Sequence, residues 1–283
     1  MVTDAESSGL TPASGNPHRA PLDVDGVRRD LVGPDRPLRR LDVVESTGST
    51  NADLLAHHAA GKDIGGMVLV AEHQSAGRGR HGRSWSTPPR SQIALSLGVD
   101  ATELPTHAWG WLPLLTGVAV ADAVEATTGI APGLKWPNDI QVGEGKLGGI
   151  LAEMASPNPV IVVGLGLNVS MTADEAPDER ATSLLMLGST MLDRSALLGS
   201  ILAEWTARID RWKITAGEDS SLVADYRHRS VTLGRNVRAL LPGDREITGT
   251  ATDIDELGQL VIDTGSQNVA VSAGDITHLR PAE

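Results

Sequence analysis

Residues 134–169 read LKWPNDIQVGEGKLGGILAEMASPNPVIVVGLGLNV, and the fold is decided there. Leu134-Lys135-Trp136 runs into Pro137, which removes a ladder donor and stops a strand. Asp139 to Val142 and Lys146 to Met154 then flank Gly143-Glu144-Gly145 as the two arms of a hairpin. Residues 160–169 are apolar on both faces, which suits the centre of a sheet. Asn138 and Asp139 fall at a strand-end turn where polar heads can converge on a ligand, although both residue types also suit turns for local reasons.

Upstream, residues 110–127 predict a long buried helix with Pro113 in its first turn. Ile93 to Val99 alternate as a half-buried strand should, and MVLVAE at 67–72 is a continuous apolar strand. Ser49-Thr50-Asn51 open a helical pattern, ADLLAHHAA, that Gly61 closes. An extended LRRLDVVES precedes them, and a short helix is expected within 22–32. Downstream, helical spacing covers 195–213 and 222–228, and from Leu233 the period changes to two in five short strands separated by PGD, ELG and TGS turns. The class is α+β: a mixed β-sheet domain packed with helices at 38–232, then a small β-barrel at 233–283. Residues 1–19 read as a disordered tail, and 20–37 as a short helix and linker.

The chain has 283 residues, a net charge of −12, no cysteine and 2% aromatic residues. These numbers exclude disulfides and a Cys nucleophile, and they argue against a stacking platform or broad basic face for nucleic acid. No apolar run approaches a membrane span, and the acidic start lacks a signal peptide's basic flank, so a cytoplasmic protein is expected. Any anionic ligand must find a local positive island. Gly77-Arg78-Gly79-Arg80-His81-Gly82-Arg83 supplies one: between Glu72 and Arg90, four arginines stand against one glutamate. Glycines let backbone N–H groups approach a ligand, and arginine forks match phosphate or carboxylate oxygens.

Lysine is scarce, occurring only as Lys62, Lys135, Lys146 and Lys213. Two of the four sit in the hairpin stretch with Asp139, a grouping of two ammonium groups and a carboxylate that suits a charged nucleotide and its metal. Ser49-Thr50-Asn51 read first as a helix cap, but the helix start they mark also presents N–H groups to a small polar ligand. Asn168 ends the apolar strand, where ligands often lie. His57 and His58 read as helix surface, and no histidine has zinc-ligand spacing. No G-x-S-x-G elbow is present.

Taken in order, GSTNADLL, AEHQSAGRGRHGRSW, LKWPNDI, GKLGGILAE, GLGLNV and the terminal DIDELGQLVI and VSAGDITHLR make residues 38–283 resemble the biotin protein ligases, in the monofunctional form without an N-terminal DNA-binding domain. The resemblance implies an SH3-like terminal barrel. It also implies a two-step reaction: biotin and ATP give biotinyl-5′-AMP, and a lysine of a carboxylase's biotin carboxyl carrier domain then takes the biotin. By the family pattern, Ser49, Thr50, Asn51, Gln74, Arg78, Gly79 and Arg80 would hold biotin and the adenylate. Lys146 would polarise the carboxylate and phosphate oxygens, with Arg80 as its catalytic companion. Lys135, Asn138, Asn168 and Trp85 would serve ATP, and Asp139 its Mg²⁺. Specific DNA and membranes are not expected partners. A lipoate ligase, whose glycine-rich pattern differs, and a non-enzymatic nucleic-acid or protein-binding module are the competing readings.

Overall fold

A computed structural model describes residues 17–156, 159–241, 245–272 and 275–278. Its elements in chain order are α1 (Asp25–Leu31), β1 (Arg40–Val44), α2 (Thr50–Ala59), β2 (Met67–Ala71), β3 (Gly77–Arg78), β4 (Ser84–Trp85) and β5 (Gln92–Asp100). They continue with α3 (Leu112–Thr128), β6 (Gly133–Lys135), β7 (Asp139–Val142), β8 (Gly145–Ala155), β9 (Val160–Asn168), α4 (Arg194–Ile214) and α5 (Ser220–Arg229). The last five are β10 (Asn236–Leu241), β11 (Arg245–Ile254), β12 (Leu260–Asp263), β13 (Asn268–Val271) and β14 (Asp275–His278). Residues 1–16 of the expected tail, the PGD turn at 242–244 and residues 279–283 lie outside the described residues.

Seven strands form one mixed sheet in the order β1-β2-β5-β9-β8-β7-β6, parallel only between β1 and β2. The glycine-turned hairpin of β7 and β8 lies beside β9, which is fourth of seven and buried along its whole length. Successive residues of a strand face opposite sides. Ile161, Val163, Leu165 and Leu167 therefore share one face, packed with α3 and α4 in the main core. Val160 and Val162 take the other face, packed with Leu54 of α2. Gly164 lies under the first turn of α2, and Gly166 and Asn168 continue that second face beyond it, where the sheet is open to a cavity. Half of the face is roofed by a helix, and half is left as a floor.

The opposite face holds the fold together. α3 is buried on nearly every side, with Pro113 in its first turn and Gly129 closing it at φ 73°, a conformation that suits glycine. Each fully buried leucine of α3 contributes roughly 1.5–3 kcal/mol by removal from water. Trp205 and Trp212 of α4 are fully buried against it, and Tyr226 of α5 meets Trp111 edge to face at 6.1 Å.

Three expectations are corrected. β5 is buried on both faces and not half-exposed, because Gln92 and Ser96 point under α2 and the site and not to solvent. His58 is buried, since α2 lies flat on the sheet and its last turn is covered. Arg19 is bound and not part of a loose tail: its Nη2 donates to Ser170 O at 3.1 Å and to Glu175 Oε2 at 2.5 Å, and it holds the Glu175 carboxyl down to about 2. Just beyond it, the buried Glu72–Arg194 pair at 2.7 Å fastens the incoming chain, accepting from Leu22 N and donating to Ala20 O.

Strands β10 to β14 form a second, wholly antiparallel sheet in the order β13-β12-β11-β10-β14, the small β domain expected from the change of period. Its turn between β11 and β12 meets the larger unit through two indoles. Trp111 Nε1 donates to Glu256 O and Trp136 Nε1 to Gly258 O, each at 3.0 Å. Gly110 faces the Leu257 carbonyl so closely that a Cβ there would collide with it. Among the described residues no helix is long and apolar enough to cross a membrane.

Candidate functional site

The open half of the sheet forms the floor of a cavity of about 610 Å³, within the usual range for small-ligand sites. Its lining includes every residue singled out from the sequence: Ser49, Thr50, Asn51, Gln74, Arg78, Gly79, Arg80, Trp85, Lys135, Asn138, Asp139, Lys146 and Asn168. The other two lysines, Lys62 and Lys213, are exposed elsewhere. The pleat explains how distant residues converge. Register pairs Lys135 with Asp139, Asp139 with Gly149, Gly149 with Gly166, and Gly166 with Ala94, so these positions share the cavity face.

At one end the start of α2 enters a web of hydrogen bonds that ends on the Arg78–Glu153 ion pair. Ser49 caps the helix, receiving Ala52 N at 3.5 Å. Thr50 N and Oγ1 reach Gln74 Oε1 at 2.8 and 3.1 Å. Ser96 Oγ lies 2.6 Å from Thr50 Oγ1 and 2.5 Å from Asn51 Oδ1. Asn51 Nδ2 donates to Leu151 O at 3.1 Å and to Glu153 Oε2 at 2.8 Å, and Arg78 Nη2 reaches the same carboxylate oxygen at 3.0 Å. Gly164 sits directly under Asn51, and a methyl group there would collide with the carboxamide oxygen.

The Gly/Arg segment is a short hairpin beside this web. β3 and β4 pair Gly77 with Trp85 and Arg78 with Ser84, and His81 (φ 55°) and Gly82 (φ 72°) turn the chain between them. Trp85 lies over the floor, its Nε1 donating to Gln92 Oε1 at 2.7 Å. A Cβ on Gly166 would lie 2.6 Å from that nitrogen, so glycine is what allows the indole to lie on the strand.

The far end is ionic. Lys146 Nζ lies 2.6 Å from Asp139 Oδ1 and 5.7 Å from the Trp85 ring centroid. Burial foremost pushes the Lys135 ammonium below the usual lysine range; nearby Arg180 and Lys146 push the same way, and Asp139 opposes them. Asn138 ties β7 to β8, donating from Nδ2 to Ile150 O at 2.9 Å and accepting from Ile150 N at 3.0 Å. Asn168 Nδ2 donates to Thr182 O at 2.8 Å, while its buried Oδ1 has no hydrogen-bond partner. No cluster of three or more acids or histidines able to hold a metal occurs among the described residues.

Sequence reasoning missed Ser96, Gln92, Glu153 and Arg180. The first two were legible only as outward positions of an alternating strand, and Glu153 as one more acid in KLGGILAE. Arg180 follows the apolar strand by a dozen residues and carries no local signature.

The family model described as the Biotin/lipoate A/B protein ligase family matches residues 43–169, and that of the Biotin protein ligase C terminal domain matches residues 232–279. A biotin--[acetyl-CoA-carboxylase] ligase of Mycobacterium tuberculosis is 51% identical over 265 residues, covering 93% of this chain and 97% of that protein. The bifunctional ligase/repressor BirA of Bacillus subtilis is 30% identical over 261 residues, covering 89% of this chain and 76% of its own length. Among solved structures, the biotin protein ligase of Aquifex aeolicus in complex with biotin and ATP superposes with a TM-score of 0.74 at 28% identity, over 86% of this chain and 100% of that one.

Proposed function

The chain belongs to the biotin protein ligase family, and from that premise we propose that it acts in the cytoplasm, activating biotin with ATP and transferring it to a lysine of a biotin carboxyl carrier domain of an acyl-CoA carboxylase. The observation that carries this reading is the polarity of one cavity, a hydrogen-bonding end whose one ion pair is internally matched, joined to a cationic end that holds Lys135 and Lys146. Biotin's ureido and carboxylate groups fit the first, and a triphosphate fits the second.

In the first step a biotin carboxylate oxygen bonds to the α-phosphorus, the bond to the β-phosphate oxygen breaks, and pyrophosphate leaves with the electron pair. Two anions must be brought together, so positioning and cationic stabilisation dominate the chemistry. Ser49, Thr50, Asn51 and Gln74 orient biotin, with Arg78, Gly79 and Arg80 of the hairpin closing over the adenylate. Lys146 steadies the carboxylate and α-phosphate oxygens. Lys135 and Asn138 serve the nucleotide phosphates, with Trp85 beside the nucleotide. The unpartnered Asn168 Oδ1 is an acceptor suited to the adenine amine.

Mg²⁺ fits this donor set as an ion held mainly by ATP, since such ions take one or two carboxylates and leave the remaining positions to phosphates and water. Asp139 would hold it, and the ion would neutralise phosphate charge. In the second step the carrier lysine's amine attacks the mixed anhydride and AMP departs. A neighbouring groove of about 630 Å³ shares Arg80, Asn138 and Leu151 with the cavity and gives that lysine a path.

Purified protein given biotin, ATP, Mg²⁺ and a carrier domain should add one biotin mass to that domain, and lipoate in place of biotin should add nothing. Absence of biotin transfer beside an active control ligase would overturn the reading, and transfer of lipoate alone would replace it with the lipoate ligase reading.

A further inference from the structure

Arg180 is placed in the cavity by backbone restraints. It lies on the segment that returns from β9, and that segment locks onto Lys146. Lys146 N donates to Arg180 O at 2.6 Å, and Thr182 N donates to Lys146 O at 3.0 Å. Asp178 Oδ1 fixes the turn from the other side, accepting from Arg180 N at 2.9 Å and from Ala181 N at 3.0 Å. Gly145 completes the join, because a Cβ there would come within 2.9 Å of the Thr182 methyl. Four residues thus hold the Arg180 backbone beside Lys146.

The guanidinium itself is treated differently. It lines the cavity, is exposed, and has no carboxylate or carbonyl partner among the described residues. Arg78, by comparison, is already paired with Glu153. A cation held next to two lysines is repelled by them, and its proximity is one cause of the depressed Lys135 ammonium. An anion of high charge placed among the three would relieve that repulsion. A guanidinium fork matches two oxygens of one phosphate, which an ammonium cannot do.

We propose that Arg180 grips the outer phosphates of ATP and the pyrophosphate that leaves, completing with Lys135 and Lys146 a three-cation cradle. This rests on the ligase reading above. When the bond between the α-phosphorus and the bridging oxygen breaks, the new negative charge appears on the pyrophosphate side, where Arg180 stands. Its contribution therefore concerns the nucleotide and not biotin.

The test uses the full chain and follows adenylate formation, with ATP and then biotin varied. Arg180→Ala should raise KM for ATP at least tenfold and weaken product inhibition by inorganic pyrophosphate by a similar factor. KM for biotin and the rate of transfer from preformed biotinyl-5′-AMP to the carrier should stay within twofold of wild type. Arg180→Lys should recover part of the ATP effect but not the bidentate share. The side chain is exposed, so an unchanged melting temperature should accompany both variants. KM for ATP and pyrophosphate inhibition both within twofold of wild type would overturn the proposal while leaving the ligase reading intact. An equal loss in the transfer step would also overturn it, since that points to a structural role. A wild-type protein inert with biotin and ATP would overturn the ligase reading, and this proposal with it.

Discussion

The two ends of the cavity are built by different means. At the α2 end every polar side chain is already engaged with another: Thr50 with Gln74 and Ser96, Asn51 with Ser96, Leu151 and Glu153. At the β6–β8 end two carboxylates, Asp139 and Asp178, stand among Lys135, Lys146 and Arg180, and Asp178 is already engaged with the backbone N–H groups of Arg180 and Ala181. A satisfied network is rigid and discriminates by shape and hydrogen-bond pattern, because a ligand that mismatches it leaves buried groups unpaired. A cluster with surplus positive charge is strained until an anion arrives, and it discriminates by charge. One end is suited to recognition, the other to catalysis.

The strongest way to break this contrast is Lys146→Arg. If the ionic end is catalytic through a compact ammonium at a defined point, a planar fork of the same charge should fail there, and adenylation should drop at least 100-fold, about 2.7 kcal/mol. Single-turnover formation of biotinyl-5′-AMP measures it, and near-normal rates would mean that the ionic end needs only charge.

Gly164→Ala probes the α2 end. The added methyl would displace Asn51 from its web, so KM for biotin should rise about tenfold, with KM for ATP nearly unchanged. A rise in both constants would show that the two ends are not separable.

A smaller effect comes with pH. Lys135 loses its proton at a lower pH than an ordinary lysine, and the protonated form is the one that attracts phosphate. KM for ATP should therefore climb a few-fold as pH rises from neutral into the alkaline range, while KM for biotin stays level. Lys135→Arg, which keeps its charge, should flatten that alkaline limb. Measurement of both constants across pH 7–10 sharpens the contrast, and a matched rise for biotin would erase it.

Much of this arrangement was legible in the sequence because it is local. Pro137 and the Gly143–Gly145 turn set strand ends and a hairpin whatever the rest of the chain does, and two of the four scarce lysines stand in that same stretch and line the cavity. What was hidden depends on the pleat. Gln92 and Ser96 alternate with apolar neighbours just as solvent-facing residues would, and only the cover of α2 over Ser96 and of Trp85 over Gln92 makes that face an interior one. His58 was misread for the same reason, because a helix pattern does not reveal which of its flanks a sheet will cover. Arg180 is brought to Lys146 by backbone hydrogen bonds between segments far apart in the chain, which leave no trace in residue type.

The two indoles that donate to the Glu256 and Gly258 carbonyls also have an optical consequence. The chain contains six tryptophans, one tyrosine and no phenylalanine, so its near-ultraviolet emission is almost wholly indole light. Trp111 and Trp136 emit from dry surroundings only while the β11–β12 turn stays seated against them. Separation of the small β domain would wet both rings and shift their emission to the red before the buried Trp205 and Trp212 of α4 responded. The natural fluorescence of the protein can thus time the parting of its two sheets independently of the collapse of its core, without any attached dye.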